Sequence, residues 1–202
     1  MKKNKFWLIV MLFSLGLIII TLPQEQKLGH ALKLVYLHGG LSLVAYLWYG
    51  LTAILALGYL VTRRKNLLLN GREFLVVSFW LMLLATVTGA ITMKITWGAV
   101  YFKEPRFFVM VSMLIFTVVA FFAESLYQNA VVASLFYMLP GIGGFTLRFF
   151  SQRIVHPQNP VGESNSFTLK FWFLLVLINL LALSIYFTRR ELKIIDNNRI
   201  EG

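Results

Sequence analysis

Three histidines and no cysteine bound the chemistry open to this chain of 202 residues. Without cysteine there are no disulfides, thiolate metal sites or thiol nucleophiles. The histidines are His30, His38 and His156. His38 is the informative one. It stands in Lys33-Leu34-Val35-Tyr36-Leu37-His38-Gly39-Gly40, and the run continues without a formal charge to Thr62. An ionisable side chain in such a segment is costly unless it has a partner. Two readings follow from this residue alone. One is an interfacial imidazole bonded to a backbone carbonyl. The other is an axial ligand to haem iron, or a ligand to another metal. Gly39-Gly40 suits either, because a missing Cβ admits a flat ligand and also admits a neighbouring helix. Zinc is disfavoured, since scattered histidines lack the tight ligand spacing of a zinc site. No acid sits at a telling spacing from His38, and no Gly-rich phosphate loop is present. Pro140-Gly141-Ile142-Gly143-Gly144 falls within an apolar run and reads as a helix kink.

A second segment carries polar chemistry beside aromatic rings: Thr96-Trp97-Gly98-Ala99-Val100-Tyr101-Phe102-Lys103-Glu104-Pro105-Arg106. It reads either as an interfacial aromatic belt with snorkelling cations or as an aromatic platform for a planar ligand. In the second case Lys103 or Arg106 would meet carboxylates through charge-assisted hydrogen bonds. A third segment, Arg148–Lys170, is the longest irregular stretch and holds Arg153, His156, Pro157 and Pro160. Long loops in compact bundles are often functional.

The elements that must position these groups are membrane helices. The chain is 58% hydrophobic and 13% charged, against roughly 45–50% and about 25% in soluble domains. Its mean hydropathy is +0.75. Six charge-poor runs approach the ~20 residues a spanning helix needs: 6–22, 34–62, 74–93, 107–123, 130–147 and 171–188. The fold expected is therefore all-α: one membrane domain over 1–202, an integral bundle of six transmembrane helices. The first run has a basic start but lacks a small-residue cleavage pattern, so it reads as a retained helix. Eleven of the 19 Lys and Arg residues then lie on the side of the N-terminus. That bias puts both termini in the cytoplasm. All three histidines fall on the outer side, which keeps a net surplus of cations. Such a surplus is either tolerated or suited to holding an anion. A net charge of +11 would suggest nucleic acid in a soluble protein, but in a multi-pass chain no nucleic-acid partner is expected.

The three segments together resemble the haem-handling family of cytochrome c biogenesis, in its six-helix haem exporter protein C form (CcmC-type). That family begins its second helix with a basic residue and Tyr-Ile-His-Val-Pro, matched here by Lys33 and Tyr36-Leu37-His38-Gly39-Gly40. It carries an outer tryptophan-rich segment close to WGxWWxWDPRLT. Trp97, Gly98, Pro105 and Arg106 match it, Tyr101 keeps an aromatic, and Glu104 replaces the acid. It places a further histidine after the fifth helix, here in Ile154-Val155-His156-Pro157. The resemblance implies haem b bound transiently at the outer face, with His38 and His156 as iron ligands and Trp97 and Tyr101 in the platform. The propionates would be met by cations, with Arg106, Lys103, Arg153 and Lys33 as the candidates. It also implies delivery without catalysis, in a cytoplasmic (inner) membrane. The implied partners are an ABC-type transporter complex, a small single-helix membrane subunit and an outer haem chaperone. Val100 and Lys103 stand where the family has tryptophans, and Gly39-Gly40 where it has Val-Pro. Two alternatives stay open: a structural subunit that has lost haem, and a haem b subunit that oxidises quinol. Three histidines, all on one side, speak against the last.

Overall fold

A computed structural model describes the backbone of residues 2–23, 28–151, 161 and 164–200, and side chains within 6–23, 28–151, 161 and 164–189. Among the described residues, six helices form in the expected order. They are α1 (Lys2–Thr21), α2 (Ala31–Thr62), α3 (Lys65–Trp97), α4 (Pro105–Tyr127), α5 (Ala130–Phe150) and α6 (Phe167–Ile200). Most outrun the apolar runs that announce them. α3 begins at Lys65, not near Phe74, and so takes Arg72 and Glu73 into the helix. A charge-poor run measures the part a helix gives to lipid. Backbone hydrogen bonding continues into the interface, where long side chains carry their charges to water.

Five helices, α2 to α6, are long and apolar enough to cross a membrane, while the apolar stretch of α1, Phe6–Thr21, is shorter. Large apolar side chains such as Phe13, Val61, Phe122 and Phe149 are exposed around the outside. In water that surface would aggregate; in lipid it is the solvent-facing surface. The chain is a multi-pass membrane protein.

α2 is the central helix, packed on α3, α5 and α6, while α4 packs chiefly on α5, and α1 rests on α6. With lipid as apolar as leucine, helices associate through close packing and hydrogen bonds. Close packing is clearest at Gly141 of α5. A Cβ there would lie 2.7 Å from the Tyr49 carbonyl oxygen and 3.0 Å from Ala53 Cβ of α2. So the run Pro140–Gly144 lies inside a continuous α5, and its glycine lets two backbones touch. Buried hydroxyls follow the membrane rule that polar groups find internal partners. Thr52, Thr86 and Thr117 donate to the carbonyls four residues earlier. Because Thr117 spends its proton on Met113, the Tyr49 hydroxyl 3.0 Å away is the donor in their bond.

Tyr36 is fully buried and donates to Leu169 O at 2.8 Å, tying α2 to the start of α6. Tyr36→Phe should lower stability by about 0.5–1.5 kcal/mol, the range for one interhelical hydrogen bond in a membrane. Unfolding with SDS from mixed micelles reads this directly, and no change would mean the bond adds nothing over packing.

The end of the bundle where α2 stops and α3 starts holds an ionic network. Arg72 Nε meets Glu124 Oε1 at 2.9 Å, and its Nη1 meets Glu73 Oε1 at 3.3 Å. Tyr137 of α5 lines the same small cavity as Arg72 and Glu124. One guanidinium thus links α3 to α4 beside Glu73, whose side chain is 3% exposed.

Candidate functional site

At the opposite end, one face of α2 turns toward a cavity of about 240 Å³. Val35, His38, Ser42 and Tyr46 recur every three or four residues and so share that face; all four line the cavity. α4 contributes Arg106 and Met110, again four apart, with Phe107 between them. Met93 comes from α3, Arg148 from the last turn of α5, and Phe173 from α6. The walls are mostly apolar, as small-molecule sites usually are. The volume is at the small end for such sites, which run from about 300 Å³, and the cavity is open on one side.

His38 sits in the second turn of α2, with Nδ1 2.8 Å from Ala85 O of α3. A carbonyl oxygen only accepts, so Nδ1 carries the proton. In the neutral ring the lone pair then belongs to Nε2. Thr88 Oγ1 donates to the same carbonyl at 3.1 Å, which two lone pairs allow. The ring can approach α3 because residue 89 is glycine. A Cβ at Gly89 would lie 2.7 Å from His38 Cε1 and 2.8 Å from Nδ1. The two readings of His38 are thus compatible. The carbonyl bond of the plain reading is also the bond that orients a metal-ligating imidazole and raises its basicity. The neighbouring glycines divide their work. Gly40 is buried against Val176 and Leu180 of α6, whereas Gly39 lines the cavity beside Phe173.

No protein-family model and no curated protein matches the chain. The chemistry of the site rests on its geometry.

Of the residues singled out in the sequence, His38 and Arg106 come together at this cavity. His156 and Arg153 lie outside the described residues. Trp97 ends α3 and pairs edge-on with Tyr101, ring centroids 6.1 Å apart; neither lines the cavity. Lys103 is exposed in the connection between α3 and α4 and does not line it either. Lys33 Nζ donates to Ile20 O at 2.8 Å, closing the end of α1. His30 is the residue before α2. Glu104 beside Arg106 is 1% exposed. Among the described residues, no three His, Asp or Glu side chains gather as a metal-binding group.

Sequence reading had not placed Arg148, Tyr46, Met93 or Met110 in a site. Arg148 carried a signal: it is a cation closing an apolar helix on the same side as His38. Both Arg148 and Arg106 lie within electrostatic reach of the Tyr46 hydroxyl. Among the described residues the cavity has no carboxylate in its walls.

The donor set fits haem. The His38 ring is oriented by Ala85 O, Gly39 removes a side chain from the wall next to it, the lining is mostly apolar, and Arg106 and Arg148 bring two guanidiniums to the wall.

Proposed function

We propose that this protein holds haem b at the outer face of the membrane and passes it to a haem chaperone during cytochrome c maturation. His38 and His156 are the iron ligands in this reading. The observation that carries it is His38 itself: an imidazole with its tautomer fixed by Ala85 O, on a cavity wall shared with Arg106 and Arg148. The similarity of Lys33–Gly40, Trp97–Arg106 and Ile154–Pro157 to CcmC-type segments supports it. The chain binds and orients its cargo and makes no bond in it. Haem is handed over from an ABC-type transporter complex with a small single-helix subunit, and both termini lie on the cytoplasmic side. Arg106 anchors a propionate.

The test is the absorption spectrum of the detergent-purified protein, oxidised and reduced, for wild type, His38→Ala and His156→Ala. The expected result is one haem per chain with a six-coordinate b-type spectrum, lost or altered in each variant. A wild type that stays haem-free when haem is supplied overturns the reading. That outcome would favour a structural subunit, which the pairing of Trp97 with Tyr101 away from the cavity also suits.

A further inference from the structure

We infer that the groove enclosed by α1, α2, α3 and α6 is a binding site for one acyl chain of a membrane phospholipid. This site is independent of the haem reading. The groove is a cavity of about 550 Å³, larger than the one beside His38. It exists because α1 packs chiefly on α6 and leaves a gap to α3. Leu12 and Leu15 of α1 form one wall, and Trp80 and Leu84 of α3 form another. The floor is Leu41 of α2, Val77 of α3 and Leu180 of α6, all three buried. Leu12, Trp80 and Leu84 are each more than half exposed, so the mouth opens sideways into the bilayer.

The occupant follows from the chemistry and the shape of the walls. Among the described residues no charged side chain lines the groove. Its two hydroxyls are satisfied within their own helices: Thr88 donates to Leu84 O and Ser184 to Leu181 O, each at 2.7 Å. Such walls offer a ligand dispersion contacts and little else. Left empty, an apolar void of this size would cost an amount comparable with a domain's whole stability. Water does not settle in a space with so few polar partners. From Val76 to Thr88 the groove follows α3 for about 18 Å, at 1.5 Å per residue. That length is close to one leaflet of the ~30 Å hydrocarbon core. Over that length 550 Å³ makes a channel roughly 6 Å across, whereas a helix with its side chains needs about 10–12 Å. The helix of a second copy or of a partner is too wide, and a single hydrocarbon chain fits. Four helices wall that chain, while a lipid of the bulk bilayer meets the protein from one side only. Thr88 also donates to Ala85 O, the carbonyl that His38 uses. The acyl chain therefore lies against the turn of α3 that orients the imidazole.

The experiment places the full chain in vesicles of palmitoyl-oleoyl-phosphatidylcholine doped with the same lipid carrying a diazirine in mid-chain. Irradiation and peptide mass spectrometry then map where the acyl chain attaches. In wild type the buried Leu41 and Val77 should be labelled, together with exposed residues such as Phe122 that any bilayer lipid reaches. Leu12→Trp and Leu84→Trp narrow the mouth from different helices. Each should lower labelling of the floor at least about fivefold, the effect of overfilling an occupied space, and leave Phe122 labelled as before. Phe13→Trp places the same ring on the outward side of α1, where Phe13 is 71% exposed, and should change neither. A wild-type floor that stays unlabelled while Phe122 is labelled overturns the site. So does floor labelling that neither narrowing variant reduces. The wild-type arm needs no substitution, so a variant that misfolds leaves the test intact. Haem content enters none of these readouts, and the haem reading stands or falls separately.

Discussion

Arg72→Ala should destabilise the bundle by about 3 kcal/mol, the low end for breaking a buried ion pair. The low end applies because the arginine side chain is 41% exposed. The loss comes mainly from what is left behind. Glu73 is 3% exposed and loses the guanidinium at 3.3 Å, while Glu124 at the end of α4 loses its contact at 2.9 Å. A buried carboxylate without a counter-charge is the costly species. The double variant Arg72→Ala/Glu73→Gln should therefore recover a good part of the loss, because a neutral amide is cheaper to bury. Both are read by SDS unfolding from mixed micelles. A double variant no more stable than the single one would show that Arg72 acts through packing of its stem and not through charge.

On the proposed haem-holding function, Gly89→Ala should remove most of the haem while leaving the helices inserted. The added methyl group would lie 2.7 Å from His38 Cε1, inside any permitted contact. The imidazole must swing away, and it loses Ala85 O as it does so. Loss of the group that orients a metal-ligating histidine typically costs about 10–100-fold in affinity. The packing cost of the same change is about 1–3 kcal/mol, so unfolding must be measured alongside haem content. Gly50→Ala, on α2 but off the cavity, is the control. Its methyl would meet Phe145 at 3.5 Å, an ordinary contact, and it should be the milder change. Equal haem per protein in Gly89→Ala and wild type would remove His38 from the ligand set.

The six helices were legible because each is announced by its own apolar run, a local property. Their ends were not. The start of α3 lies in Lys65–Glu73, a polar stretch that looks like a loop until Arg72 is seen bridging to Glu124 of α4. Pairing of that kind depends on the register of two helices, which no window of sequence contains. The site divides in the same way. His38 stood out as an ionisable residue in an apolar run. Ala85 and Gly89, which fix its proton and give it room, sit in a run with nothing to mark them. Arg148 was visible as a cation, but its place beside Arg106 depends on how α5 packs against α4. The aromatic segment was located correctly between α3 and α4, yet the direction of its rings is a tertiary matter. Trp97 turns to Tyr101.

The attachment of α1 sets an order of events during synthesis. Its main packing partner is α6, and Asn179 of α6 donates to Ser14 of α1 across 165 residues. At roughly 5–20 residues per second, α1 must remain in the bilayer for some ten to thirty seconds before that partner leaves the ribosome. Lys33 reaches Ile20 O much sooner, so the hairpin of α1 and α2 is tethered early. A ribosome that stalls before Asn179 would leave α1 inserted but undocked, with Ser14 facing lipid.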